Sequence, residues 1–95
     1  MTIQNAQVIE AGHYANISAT ANISAVPSRL IGVLCSTTSS GTLNVYNDTS
    51  TGTTNTVTGT ITLTAGQFYP IPARCGNGIY LVIGGTANIT AFFDA

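Results

Sequence analysis

A side chain acts as nucleophile, base or metal ligand only when partners of the right type stand within hydrogen-bond or coordination reach. This 95-residue chain offers few such partners: one histidine, His13; three acids, Glu10, Asp48 and Asp94; and two cysteines, Cys35 and Cys75. Glu10 lies in an N-terminal stretch, Asp48 in a turn-rich one, and Asp94 is the last residue but one. A two-carboxylate hydrolase would have to bring two of these together from an arm, a loop tip and a terminus. The reading is a protein that is not an enzyme, with no catalytic residue and no cofactor.

Metal binding fares no better. A structural zinc site wants four ligands, usually Cys or His pairs at short spacing, and no CxxC or HxxH occurs. No metal ligand is therefore assigned. Cys35 and Cys75 have two readings. Paired, they would close a loop and stabilise the fold by about 4 kcal/mol in the chain-entropy model, but only in an oxidising compartment. Unpaired, they are small buried hydrophobes, the preferred reading.

Four N-glycosylation sequons begin at Asn16, Asn22, Asn47 and Asn88. In a chain so rich in Asn, Ser and Thr they follow from composition, and three of them fall in stretches that read as strands. Tyr14, Tyr46, Tyr69 and Tyr80 would suit a sugar-stacking platform. Three of these sit in strand patterns, where a tyrosine more often packs its ring and leaves its hydroxyl wet, so core or interface roles are preferred.

Composition removes whole classes of function. Charged residues are 5% of the chain, against about 25% in ordinary soluble proteins, and the only cations are Arg29 and Arg74. Duplex binding draws its affinity from several Lys and Arg contacts to phosphate, so no nucleic acid is expected. No apolar run nears the roughly 20 residues of a membrane helix. The N-terminus, Met1 to Gln7, has no basic region followed by an apolar stretch, so synthesis in a cytoplasm without a signal peptide is expected.

The elements behind these residues read as strands. Ala15, Ile17, Ala19, Ala21, Ile23 and Ala25 alternate with Asn16, Ser18, Thr20, Asn22 and Ser24, and Val57, Ile61 and Leu63 alternate with threonines. Period two marks a strand with one buried face. Leu30 to Cys35 and Ile79 to Ile83 are continuously apolar, which predicts central strands covered on both sides by a second layer or by a neighbouring subunit. Turn chemistry at 39–41, 47–52, 65–66, 76–78 and 84–85 separates the segments. Strands are expected over 14–26, 29–37, 42–47, 56–64, 67–73, 78–83 and 86–93.

Turn signals every 8–12 residues or so match an antiparallel β-sandwich of jelly-roll type. The expectation is an all-β domain of about seven strands over 13–95, preceded by an extended N-terminal arm over 1–12. The six-residue echo of Ala15–Thr20 in Ala21–Val26 is too short for a solenoid repeat and reads as two halves of one bent strand. A sandwich has edges, and edges invite pairing unless charge, proline or a covering segment blunts them. With so little charge, a homo-oligomer docked on a larger assembly is expected.

Ser28-Arg29-Leu30-Ile31-Gly32-Val33-Leu34, then Ser40-Gly41-Thr42-Leu43-Asn44-Val45-Tyr46-Asn47, and later Gly78 to Thr90, resemble small virion proteins of tailed bacteriophages over roughly residues 26–93. The resemblance is structural: a strand–turn–strand and a glycine-bounded hairpin. It implies a capsid decoration, or cement, protein on the virion surface, often a homotrimer, whose partners are the major capsid protein and itself. A tail or head-fibre component is the alternative in the same particles, and a surface glycan-binding module is the alternative of another class. On this reading residues 1–14 and the tips at 39–41 and 47–54 contact the capsid. No membrane or small-molecule partner is implied.

Overall fold

β-branched residues on alternating faces favour extended chain, and the computed structural model, which describes residues 12–94, consists of strands, turns and bends without a helix. The strands are β1 (His13–Ile17), β2 (Ala21–Ser24), β3 (Ser28–Tyr46), β4 (Thr56–Thr62), β5 (Phe68–Cys75) and β6 (Ile79–Asp94). All pairings are antiparallel, within one six-stranded sheet. The expected arm lies, apart from Gly12, outside the described residues.

Six strands replace the expected seven because two turn signals do not turn the chain. Ser39-Ser40-Gly41 and Gly84-Gly85 lie opposite each other inside the long paired strands β3 and β6. Ser40 and Gly85 take positive φ, 56° and 66°, and the register shifts between Ser39 and Thr42. A bulge plus left-handed residues bends a strand without ending its ladder. Conversely, the expected strand 14–26 breaks at residues 18–20 into β1 and β2, which pair with the two ends of β6. The sequence echo therefore corresponds to two successive strands laid along the same neighbour.

The bends divide the sheet into halves. One half runs β1-β6-β3-β5, the other β2-β6-β3-β4. A straight strand of β3's 19 residues would span about 60 Å, yet the longest dimension of the molecule is 45 Å. Both ends of β3 also meet one turn: Ser28 pairs with Cys75, while the Asn77 amide donates to Asn47 Oδ1 at 2.8 Å. The long strands double back, so inward residues of both halves share one core. Leu30, Val33 and Cys35 of one half join Leu43, Val45, Ile79 and Leu81 of the other.

The two continuously apolar runs do lie in the central strands, and within the chain the run in β3 is covered on one side only. Leu30, Val33 and Cys35 are fully buried, while Ile31 and Leu34 on the opposite face are 39% and 37% exposed. In β6, Ile79 and Leu81 point inward and Tyr80 and Val82 are half-buried. Unbroken apolarity hid an ordinary inside and outside.

Both cysteines are free and buried. Cys75 is paired with Ser28, seven positions along β3 from Cys35, a separation of about 20 Å where a disulfide tolerates a Cα distance of no more than about 7 Å. Burial pushes both thiols above their ordinary pKa. The folded chain thus holds these protons more tightly than the unfolded one. That contribution is present at neutral pH and fades as pH rises above the ordinary thiol value of about 8.5. The native protein should show no fast-reacting thiol toward an aromatic disulfide reagent at pH 8, and two after denaturation. A fast native thiol would contradict the burial of Cys35 and Cys75.

Candidate interaction face

The residues with potential chemistry are spread over separate structural tasks. His13, on β1, sets its ring against Phe93 at 5.7 Å between centroids. Asp48 caps its own loop, accepting from the amides of Ser50 and Gly52 at 2.8 and 3.1 Å. Asp94 turns the other way from Phe93 and binds Arg29. Glu10 falls outside the described residues. Among the described residues no group of three or more His, Cys, Asp or Glu gathers.

The sequon asparagines are absorbed in the same way. Asn16 donates to Asn88 Oδ1, Ile89 O and Thr90 Oγ1 at 2.9–3.1 Å. Asn22 ties β2 to the 48–50 loop through Asp48 O and Ser50 O. Asn47 accepts from the Asn77 and Gly78 amides. Each of these amides satisfies backbone or side-chain groups of the fold, and three of the four sequon asparagines lie in strands.

What the topology does assemble is a sheet face. On the outward side of the β1-β6-β3-β5 half, alternation aligns three bands across the strands. At one end Asp94, Arg29 and Arg74 stand opposite one another on β6, β3 and β5. Arg29 donates to Asp94 Oδ2 at 2.5 Å, and with Pro27 and Ser28 these three residues line a shallow cleft. At the other end Asn16, Asn88 and Ser36 form an amide–hydroxyl ladder.

Between them lies an apolar band. Tyr14 is opposite Phe92, Phe92 is opposite Gly32, and Gly32 is opposite Pro70. Gly32 has a geometric reason to be glycine. A Cβ there would strike the Phe68 ring and come within 2.8 Å of Tyr69 O. With no side chain in the way, Phe68 leans across β3 toward Phe92, leaving the ring centroids 6.3 Å apart. Tyr14 is 74% and Phe68 45% exposed, and Ile31 and Leu34 complete the band.

The outward side of the other half is different in kind. Asn22, Asn44, Tyr46, Tyr80 and Val82 are half-buried there, with Asn44 bonded to Thr60 and the two tyrosine rings 6.2 Å apart. Among the described residues, four of the five exposed large apolar ones, Tyr14, Ile31, Leu34 and Phe68, fall on the first face; the fifth is Val26. No family model, curated protein or solved structure matches the chain. The face must therefore be interpreted from its own chemistry.

Of the tyrosines, Tyr69 is structural: its hydroxyl accepts from the Thr64 amide at 2.7 Å and bridges to Thr62 O. Only Tyr14 stands on the apolar band. Of the expected contact segments, 1–11 are outside the described residues, while 39–41 form the bend of β3 and 47–54 the loop before β4. Sequence reasoning left open whether a second layer or a neighbouring subunit covers the second side of Leu30 to Cys35, because that run carries no visible phase. The one usable signal was Phe68-Tyr69-Pro70-Ile71-Pro72, whose prolines belong at an edge.

Proposed function

We propose that this chain is a structural, homo-oligomeric protein of the capsid-decoration type, which packs against copies of itself and against the major capsid protein of a tailed phage. The observation that carries the reading is the contrast between the two outward faces. An apolar centre rimmed by a charged row and an amide row has the anatomy of a protein–protein interface, and exposed apolar patches of this kind mark interaction sites. The doubled-back halves are read as the layers of a jelly-roll-like sandwich. On that framework the bend at 39–41, the 47–54 loop and the N-terminal segment attach to the shell. Each contact is modest, and linked copies bind together at high effective concentration.

The test is co-sedimentation of the purified protein with tailed-phage heads stripped of their minor surface proteins. Saturable binding in whole-number ratio to the capsid lattice is expected. Protein that stays at the top of the gradient with every head preparation would overturn the reading. A second reading, a glycan-binding module, is favoured by the exposed Tyr14 beside Phe92 and Phe68, since sugar rings stack on such faces. It predicts retention on a glycan array that Tyr14→Ala abolishes.

A further inference from the structure

We infer that the apolar face pairs with the same face of a second copy, around a two-fold axis parallel to the strands and midway between β3 and β6. This rests on the reading of that face as a protein-binding surface, and it assigns the partner. The resemblance implies a threefold arrangement; the charge pattern points to a two-fold one.

Consider the ways the face can meet itself. A closed pair is isologous, each residue meeting its counterpart's partner. With the axis parallel to the strands, β6 of one copy lies over β3 of the other. Asp94 then faces the second copy's Arg29, and Arg29 faces its Asp94, giving a closed ring of four alternating charges. Tyr14, on β1, comes over Pro70, on β5, at both ends of the apolar band. With the axis across the strands, the charged row would instead lie over the Asn16, Asn88 and Ser36 ladder. Charges would then lose water without gaining a countercharge, which is costly. Self-complementarity selects the first arrangement.

Area sets the strength. Strands about 4.8 Å apart, with seven residues each from β3, β5 and β6 and the five of β1 at about 3.3 Å, give a footprint of roughly 400 Å² per copy. The pair would bury roughly 800 Å², at the boundary between typical crystal contacts and weak interfaces. Pairing should therefore be weak and concentration-dependent in dilute solution. On a shell that concentrates the protein, such a contact is sufficient.

The test is complementation between charge variants, measured by light scattering against the 9.7 kDa chain mass. The parent protein should rise toward twice that mass with concentration. Arg29→Asp sets two carboxylates side by side and Asp94→Arg sets two guanidinium groups side by side, so each alone should stay at single-chain mass. Mixed in equal amounts they should regain the doubled mass, because every facing pair is again of opposite sign. Leu34→Thr keeps a strand former on the outward face and should weaken pairing at least tenfold with an unchanged melting curve in dilute solution, where single chains dominate, which separates pairing from folding. A parent that stays single-chain at every concentration, a three-chain mass, or variants that fail to complement would each overturn the two-fold pairing. Co-sedimentation with heads reports separately on the decoration reading.

Discussion

Gly78→Ala is expected to cost about 3–5 kcal/mol of folding stability, from a strained backbone and a forced clash together. Gly78 has φ of 154°, in a region that side chains rarely adopt. A Cβ there would strike Ser24 O and come within 2.6 Å of Asp48 O. Both neighbours are backbone, so neither yields by a rotamer change. They also belong to different segments, the end of β2 and the 47–55 loop, so relief requires both to move. The Gly78 amide meanwhile accompanies that of Asn77 in donating to Asn47 Oδ1. Gly66→Ala is the matched comparison: its φ is 81° but nothing lies near the added methyl, so only the strain of about 1–3 kcal/mol applies. In urea, the Gly78→Ala midpoint should fall well below that of Gly66→Ala. Midpoints within about 0.3 M of each other would remove the close-approach account.

That turn shows how far the amino acids alone could be read. Gly76-Asn77-Gly78 is recognisable as a turn because its residues tolerate positive φ and local side-chain bonding. Its role in joining β2, the 47–55 loop and both ends of β3 is tertiary and leaves no local mark. The same limit explains the strand count. Gly84-Gly85 has turn chemistry, and only its pairing with the bend at Ser40 makes it a kink in a continuous strand. Alternation was legible wherever one face is polar, as in Ala15–Ile17 and Val57–Ile61.

The charged row was illegible for a related reason. Arg29, Arg74 and Asp94 are 20 to 65 positions apart, and only the registers of β3 with β5 and β6 set them side by side. Like charges directly opposite on neighbouring strands are destabilising. Asp94 offsets this for Arg29 and leaves Arg74 at the rim. In a chain with only five charged residues, the meeting of three at one end of one face follows from the sheet's geometry, with no short-range motif to announce it.

Leu30→Ala should lose about 2–5 kcal/mol, the range for emptying a fully buried leucine site, while Leu34→Ala should lose less than about 1 kcal/mol. The two leucines sit four residues apart in one apolar run, and sequence alone gives them the same weight. The bulge between Leu30 and Gly32 changes the phase. Leu30 and Val33 face the core, whereas Leu34 looks outward beside Phe68, opposite it on β5. The cavity left by Leu30 would be lined by strands fixed in a hydrogen-bonded ladder, which limits collapse and moves the cost toward the upper part of the range. Leu34 is already 37% exposed, so its truncation opens no cavity and removes only part of a transfer term. The pair separates folding from association. Leu30→Ala should lower the denaturation midpoint at every protein concentration. Leu34→Ala should move the dilute midpoint by no more than that small loss and in addition reduce the gain in stability that pairing adds as concentration rises. Equal losses at the two positions would mean that the run is covered on both sides within one chain, and the outward face proposed for the second copy would not exist.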